Sequence, residues 1–447
     1  MFKRDILTEL EKWKASEFRK PLILRGARQV GKTTTIHEFG KTYDNYLYYN
    51  LERESNVKIF EQERPIADMV NFLYLNSNQK KVGETLLFID EIQNSPKTIS
   101  KLRYLYEEIP QLHVIAAGSL LENTIDLKSS FPVGRVQYLS MHPCSFREFL
   151  YAMGADHLID IMKEPNDTIA IHSQLQSLFN QFFVVGGMPE IVARYAKEHD
   201  VVALDDIFEA LLQNYRDDVE KYVKQRKVTE VVRFILTHGW EKAGEIISLG
   251  NFGNSSYRAR EVGEAFRLLQ KAMLLELVYP TTSTVIPALP ELSRMPKLIW
   301  FDTGIVNYAA QVRGEILGNN DILDLWRGHI AEQVVAQELS TLNYKIGQKR
   351  SFWTKGNGKN GAEVDFTWIV DGQLIPIEVK SGHNSRLKSL HSFIDQSTAR
   401  VAVRVWSQPF SIDSIKTSLG AKEFTLINLP FYLVGDLENV LRNVVNN

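Results

Sequence analysis

At 447 residues the chain is too long for one compact core and implies roughly two to four domains. Its 44% hydrophobic and 24% charged residues are those of an ordinary soluble globular protein, and a net charge of −2 excludes a global attraction to nucleic acid, so such a partner must meet a local patch. The single Cys144 excludes internal disulfides, Met1-Phe2-Lys3-Arg4-Asp5 carries charge where a signal peptide needs an apolar run, and no stretch reaches the ~18 apolar residues of a membrane helix; the expectation is a cytoplasmic protein without membrane contact.

In chain order, Leu7, Leu10 and Trp13 with charges between them predict an amphipathic helix. Pro21-Leu22-Ile23-Leu24-Arg25 then reads as a buried parallel strand. It runs into Gly26-Ala27-Arg28-Gln29-Val30-Gly31-Lys32-Thr33, a G-x-x-x-x-G-K-T pattern, and Thr34-Thr35-Ile36-His37-Glu38-Phe39 can open a helix. Strand, loop and helix in this order make a phosphate site. The glycines let the backbone wrap an anion, and the N–H groups at the helix start point at the β- and γ-phosphates. Lys32 adds a cation and the Thr33 hydroxyl can ligate Mg²⁺. Residues Gly26 to Thr34 are therefore the candidate nucleotide-binding set, with ATP and Mg²⁺ as expected cofactors and ATP and ADP as expected ligands.

Leu86-Leu87-Phe88-Ile89 is a second buried-strand run, ending in Asp90-Glu91. Asp90 can hold Mg²⁺ through water, and Glu91 can orient and deprotonate the water that attacks the γ-phosphate, which predicts hydrolysis rather than transfer. A third run, Leu112-His113-Val114-Ile115-Ala116-Ala117, leads to Gly118-Ser119. Ser119, with Asn123 second, is the candidate to sense the γ-phosphate, and a helix N-cap is the alternative role for Ser119. Arg135, after the turn Pro132-Val133-Gly134, is either a finger reaching a neighbouring subunit's γ-phosphate, which implies a homo-oligomer, or a surface ion pair. Ser145-Phe146-Arg147-Glu148 is a capping box that starts a further helix.

The motifs GARQVGKT, LLFIDEIQ, AAGSLLE and GRVQYLSMHPCSFREFL resemble the AAA-type P-loop ATPases that carry a C-terminal domain of unknown function. The resemblance continues through Val185-Gly186-Gly187-Met188-Pro189-Glu190 and Leu298-Ile299-Trp300-Phe301-Asp302-Thr303-Gly304. It implies an added catalytic strand and a glutamate base. Ser119 stands where that family usually has Asn.

Residues 1–155 are expected to form the α/β ATPase domain, a doubly wound parallel sheet. From 156 to 290 the pattern is helical: Leu175, Leu178, Phe179 and Phe182 share one face, and Gly186-Gly187-Met188-Pro189 breaks the run. Ala243–Ile247 and Val262–Leu269 read as two helices around the turn Asn251–Ser256, followed by a strand over Leu274–Tyr279. That is the order of a winged helix, packed through Val262, Phe266, Leu269 and Met273. Tyr257, Arg258 and Arg260 could approach a DNA groove, though Glu261 and Glu264 dilute the charge. A plain packing module is the other reading.

Residues 291–447 are expected to form a smaller α/β domain. A helix over Trp326–Leu339 carries Glu332. Glu363-Val364-Asp365-Phe366-Thr367-Trp368 alternates like a half-buried strand, Asp371-Gly372 predicts a tight hairpin, and Leu374–Lys380 returns. Alternation pairs Glu363 with Asp365 and Glu378 with Lys380, so Glu332, Asp365 and Glu378 could ligate a hard cation with Lys380 beside it. This resembles the PD-(D/E)xK restriction-endonuclease-like fold, which implies a metal at Glu332, Asp365 and Glu378 and a possible nuclease. Charged side chains that merely mark a solvent face are the alternative. Between Ser340 and Arg404 ten Lys/Arg face five Asp/Glu, with Phe352, Trp353 and Trp368 interleaved, which suits nucleic acid. The expected function is a DNA-associated, Mg²⁺-dependent ATPase; the rival is a nucleotide-switched scaffold whose C-terminal domain binds proteins.

Overall fold

The short apolar runs of the first 150 residues become neighbouring strands of one parallel sheet. The computed structural model describes residues 2–118, 132, 134–222, 225–313, 329–345, 350–356, 361–380 and 387–445. Strands β1 (Leu22–Arg25), β2 (Asn45–Asn50), β3 (Thr85–Asp90), β4 (His113–Gly118) and β5 (Gln137–Ser140) lie in the order β2-β3-β4-β1-β5, all parallel. Alternate residues feed two cores. Leu22, Leu24, Phe88 and Ile115 pack under helices α1 (Ile6–Ala15) and α2 (Lys32–Gly40). Ile23, Leu87, Ile89 and Val114 pack on the other face with α3 (Glu54–Glu61), α4 (Ile66–Asn76) and α5 (Pro96–Glu108). Burial on both faces is what makes the centres of β3 and β4, Leu86–Ile89 and Val114–Ala117, apolar without a break. Ser119 and Asn123 lie outside the described residues.

Helices α6 (Phe146–Ala152), α7 (Asp156–Met162), α8 (His172–Val185), α9 (Pro189–Glu198), α10 (Asp205–Tyr222) and α11 (Arg226–His238) follow. The capping box is present at the start of α6: the Ser145 hydroxyl accepts from Glu148 N, and the Glu148 carboxylate accepts from Ser145 N. The helix expected at 243–247 is absent. Gly244 has φ +75, and a Cβ there would fall 1.9 Å from His329 O. Gly244 N donates to Leu298 O, Leu298 N to Glu245 O and Ile247 N to Pro296 O, so strand-like pairing with a distant segment overrides the local apolar pattern. Helix α12 (Ala259–Lys271) buries Val262, Phe266 and Leu269, as expected from its spacing.

The second sheet has eight strands: β6 (Leu275–Thr281), β7 (Lys297–Trp300), β8 (Ser351–Thr354), β9 (Glu363–Val370), β10 (Gln373–Lys380), β11 (Val401–Trp406), β12 (Ser411–Lys416) and β13 (Glu423–Pro430). Their order is β12-β13-β11-β10-β9-β8-β6-β7, so the sheet already begins at residue 275. Asp371 and Gly372, with φ 47 and 76, turn β9 into β10 as an antiparallel pair. Helices α13 (Thr303–Ala309), α14 (His329–Thr341), α15 (Lys388–Gln396) and α16 (Leu437–Val445) complete the described elements. Leu390, Phe393 and Ile394 of α15 pack with Leu374, Ala402 and Leu426 on one face. Phe366, Ile377, Val403 and Ile427 join the main core on the other. Among the described residues no helix is long and apolar enough to cross a membrane.

Helix α14 is buried together with its polar residues. Gln333 completes the edge strand β7 by accepting from Trp300 N and donating to Trp300 O. Gln337 accepts from Thr303 N and its hydroxyl, and Glu338 accepts from Phe146 N at 3.0 Å. Two glycine-bearing segments and the stretch around Cys144 meet next to this helix. Gly187 N donates to Asp302, Cys144 N donates to Gly187 O, and a Cβ on Gly304 would lie 2.2 Å from Val185 O.

Burial pushes the Glu338 carboxyl from 4.5 up to about 8. The folded chain therefore keeps a proton that the unfolded chain has already released, and stability falls as pH rises through that window. The expected outcome is a Tm that drops between about pH 5 and about pH 8, with a shallower drop in Glu338→Gln, whose amide oxygen still accepts from Phe146 N. Equal slopes in differential scanning calorimetry would contradict this.

Candidate active site

The P-loop lies where β1 ends and α2 begins, at the edge toward which the strands of the first sheet run. Its backbone is wound as tightly as its residues allow. Gln29 and Gly31 have φ 64 and 95, and a Cβ on Gly26 would fall 2.5 Å from Met141 O. Lys32 is buried, and its ammonium donates to Gly26 O at 2.9 Å and Ala27 O at 2.8 Å, inside its own loop. Burial pulls that ammonium down to about 8, opposed by the Glu91 and Asp90 carboxylates.

Asp90 ends β3 beside this loop. The Thr33 hydroxyl donates to Asp90 Oδ2 at 2.7 Å, so the two expected Mg²⁺ partners are already in contact. Both are hard oxygen donors, and this pair fits a magnesium ion. Burial raises the Asp90 carboxyl, with the Thr33 bond opposing it. Glu91 follows in the left-handed region, φ 52 and ψ 42, a strained setting that turns its side chain out of the strand's alternation. Gln93 Nε2 donates to Glu91 Oε2 at 2.5 Å. Burial raises Glu91 too, opposed by Gln93 and Lys32, which moves it toward the range of a useful general base.

Four residues at this site were not read from the sequence as functional. Gln93 orients Glu91. Asp218 of α10 pairs with Arg28, and Tyr215 donates to Arg28 O, so the helical region closes over the loop. Arg4 has its side chain 5% exposed; it donates to Val30 O at 2.9 Å and His142 O at 2.8 Å, and pairs with Glu148 at 3.0 Å. Local sequence carried a signal only for Glu148, through the capping box.

Arg135 forms an exposed ion pair with Glu107 at 2.8 Å. It precedes β5, whose Gln137 pairs with Leu22 at the start of β1, so it lies at the sheet edge opposite its own P-loop. It cannot serve the γ-phosphate of its own subunit.

Where helix α14 packs on the second sheet, Glu332, Asp365, Glu378 and Lys380 form one electrostatic cluster. Burial, then the Asp365 charge, raises both Glu332 and Glu378. Val379 N donates to Asp365 Oδ2 at 2.7 Å, and Lys380 Nζ lies 2.6 Å from Glu378 Oε1. Lys297, which the sequence gave no reason to include, enters from β7. Its ammonium is 2.5 Å from Glu332 Oε2, 3.3 Å from Glu363 Oε1 and 3.8 Å from Asp365 Oδ1, with the side chain 2% exposed. Among the described residues no group of three or more His, Cys, Asp or Glu side chains is arranged to hold a metal ion. Of the expected ligand set, Glu332 and Asp365 lie within 4 Å of the Lys297 ammonium.

Removing one partner of a buried ion pair leaves the other uncompensated, at roughly 3–5 kcal/mol. Arg4→Met should therefore lower stability by about that amount and weaken nucleotide binding, because Val30 O loses its donor. Urea denaturation and nucleotide titration measure the two, and unchanged affinity would show that Arg4 serves the fold alone.

Residues 18–150 match the family described as AAA domain, 176–315 a domain of unknown function (DUF8612), and 327–424 another (DUF4143). No curated protein sequence matches the chain. Among solved structures it is similar to the Walker-type ATPase PABY2304 of Pyrococcus abyssi, at 12% identity and TM-score 0.41 over 69% of this chain and 96% of that one. It is also similar to the ORC1 protein of Aeropyrum pernix in complex with DNA, at 11% identity and TM-score 0.29 over 70% and 93%. A third is PCH-2 of C. elegans, at 11% identity and TM-score 0.28 over 45% and 65%. Residues 18–150, which carry the parallel sheet and the P-loop, match an AAA domain, and it is this part of the chain that is similar to the AAA-type ATPases.

Proposed function

We propose that the chain is a Mg²⁺-dependent, ATP-hydrolysing enzyme that associates with DNA. The contact between Thr33 Oγ1 and Asp90 Oδ2, flanked by Lys32 and Glu91 at the mouth of the P-loop, carries the enzymatic part of this reading. The loop amides and Lys32 bind the β- and γ-phosphates, and Thr33 and Asp90 hold the magnesium. When bound, the ion offsets negative charge on the phosphate oxygens. Glu91, oriented by Gln93, accepts a proton from the water that attacks the γ-phosphorus, and ADP and phosphate leave.

The DNA part rests on chain order. Helix α11, the bridge at Ile246, a short 3₁₀ turn at Phe252–Asn254, helix α12 and the antiparallel pair β6–β7 follow one another as in a winged helix. Arg258 and Arg260 are exposed at the start of α12, the position from which such a helix meets a groove. One observation favours the second reading, a nucleotide-switched scaffold. Val285, Ile286, Leu289, Leu292 and Met295 are all exposed in the connection between β6 and β7, an apolar surface better suited to protein than to phosphate.

Lys32→Ala is expected to abolish ATP turnover, and Glu91→Gln to keep ATP binding while losing hydrolysis by about 10²-fold or more. Phosphate-release assays and nucleotide titration check both; full turnover in Glu91→Gln would reassign the base. Replacing both Arg258 and Arg260 with Ala should weaken DNA binding in a salt-dependent manner, read by fluorescence anisotropy. If the double variant binds as the parent does, or the parent does not bind, the scaffold reading takes over. If Arg135 acts in trans, turnover per subunit rises with protein concentration and Arg135→Ala subunits poison mixed assemblies; concentration-independent turnover leaves it as a surface pair.

A further inference from the structure

The nuclease-like reading of the C-terminal sheet calls for a divalent cation among Glu332, Asp365 and Glu378, and the residues present do not fit one. The reason is steric and electrostatic. The Lys297 ammonium lies 2.5 Å from Glu332 Oε2 and within 4 Å of carboxylate oxygens of Glu363 and Asp365. A hard cation needs several oxygens at roughly 2.0–2.6 Å, which is the space this ammonium fills. A second positive centre beside it would also be repelled at short range in a buried site. The lysine is not a surface side chain folded inward. Its stem is fixed in strand β7, its Nζ lies 5.1 Å from the Phe352 ring centre and 5.5 Å from that of Phe366, and its backbone is bridged to Ile246. It therefore comes from the edge strand β7, not from the strands that carry the carboxylates.

We infer that Lys297 takes the place of a divalent cation, so that the cluster is a charge-compensated joint between the edge strand β7 and the helix and strands that carry the carboxylates, and does not assemble a metal-dependent nuclease centre. This rests on the nuclease-like reading of the module, since only that reading makes the three carboxylates a ligand set. Glu378 pairs with Lys380 through Oε1, and its Oε2 is buried without a hydrogen-bond partner, which leaves an acceptor that a cation could use once Lys297 is gone.

The experiment uses the full chain carrying Thr33→Ala and Asp90→Ala, so that the nucleotide site contributes no metal, and titrates Mn²⁺ with detection by electron paramagnetic resonance. The expected result is no bound Mn²⁺ in this parent, one Mn²⁺ per chain on adding Lys297→Met, and loss of that ion on further adding Asp365→Asn. A parent with Lys297 intact that binds an Asp365-dependent Mn²⁺ would overturn the inference, and that arm needs no Lys297 variant to fold. A Lys297→Met chain that melts like its parent yet gains no Mn²⁺ also overturns it, and takes the nuclease-like reading with it. DNA binding is measured separately, so its failure leaves the Mn²⁺ result to stand alone.

Discussion

The close backbone approach around Asp302 is the constraint on which the rest of the molecule depends. Asp302 is fully buried, accepts from Gly187 N at 2.6 Å and Ile305 N at 2.9 Å, and caps α13. Burial raises its carboxyl to about 6, with the backbone donors opposing the shift by favouring the ionised form. The donors can reach it because nothing larger than hydrogen stands on Gly186 or Gly304: a Cβ would fall 2.5 Å from Asp302 Oδ1 in the first case and 2.2 Å from Val185 O in the second. One carboxylate thereby fixes the end of α8, the start of α13 and the exit of β7 relative to one another.

The P-loop inherits its shape from this junction. Gly187 O accepts from Cys144 N, and the next residue is the N-cap of α6. Glu148 in the first turn of α6 meets Arg4, and Arg4 holds Val30 O. At the same end of α6, Glu338 of α14 accepts from Phe146 N, and Ser140 N donates to Tyr344 O. The nucleotide loop is therefore braced by elements far from it in the chain. A P-loop excised at residue 155 would lose the Asp218 partner of Arg28 and the Glu338 contact together.

Legibility followed locality. The P-loop, Asp90 and Glu91 could be read because strand, loop and acidic pair are each contiguous in sequence, and the hairpin through Asp371-Gly372 for the same reason. Strand β2, Asn45-Tyr46-Leu47-Tyr48-Tyr49-Asn50, was not read because it is an edge strand whose polar and aromatic residues hide its period. The apolar stretch at 243–247 looked helical, but its hydrogen bonds go to β7, which no local window contains. Lys297 begins an ordinary apolar strand, and nothing in its neighbourhood signals the carboxylates of Glu332, Glu363 and Asp365. Arg4 likewise reads only as one more charge near the start of the chain. In the last three misses a polar group is satisfied by a partner distant in sequence.

The central claim is that this P-loop binds nucleotide through Lys32, Thr33 and Asp90, with the Lys32 ammonium set on the loop carbonyls of Gly26 and Ala27, where phosphate would compete for it. A crystal structure of the full chain with Mg²⁺ and a slowly hydrolysed ATP analogue tests it most directly. The account predicts that Lys32 Nζ leaves Gly26 O and Ala27 O for the β- and γ-phosphates, with Thr33 and Asp90 at the metal and Glu91 facing the γ-phosphorus. A nucleotide bound elsewhere, with Lys32 still on those two carbonyls, would contradict it.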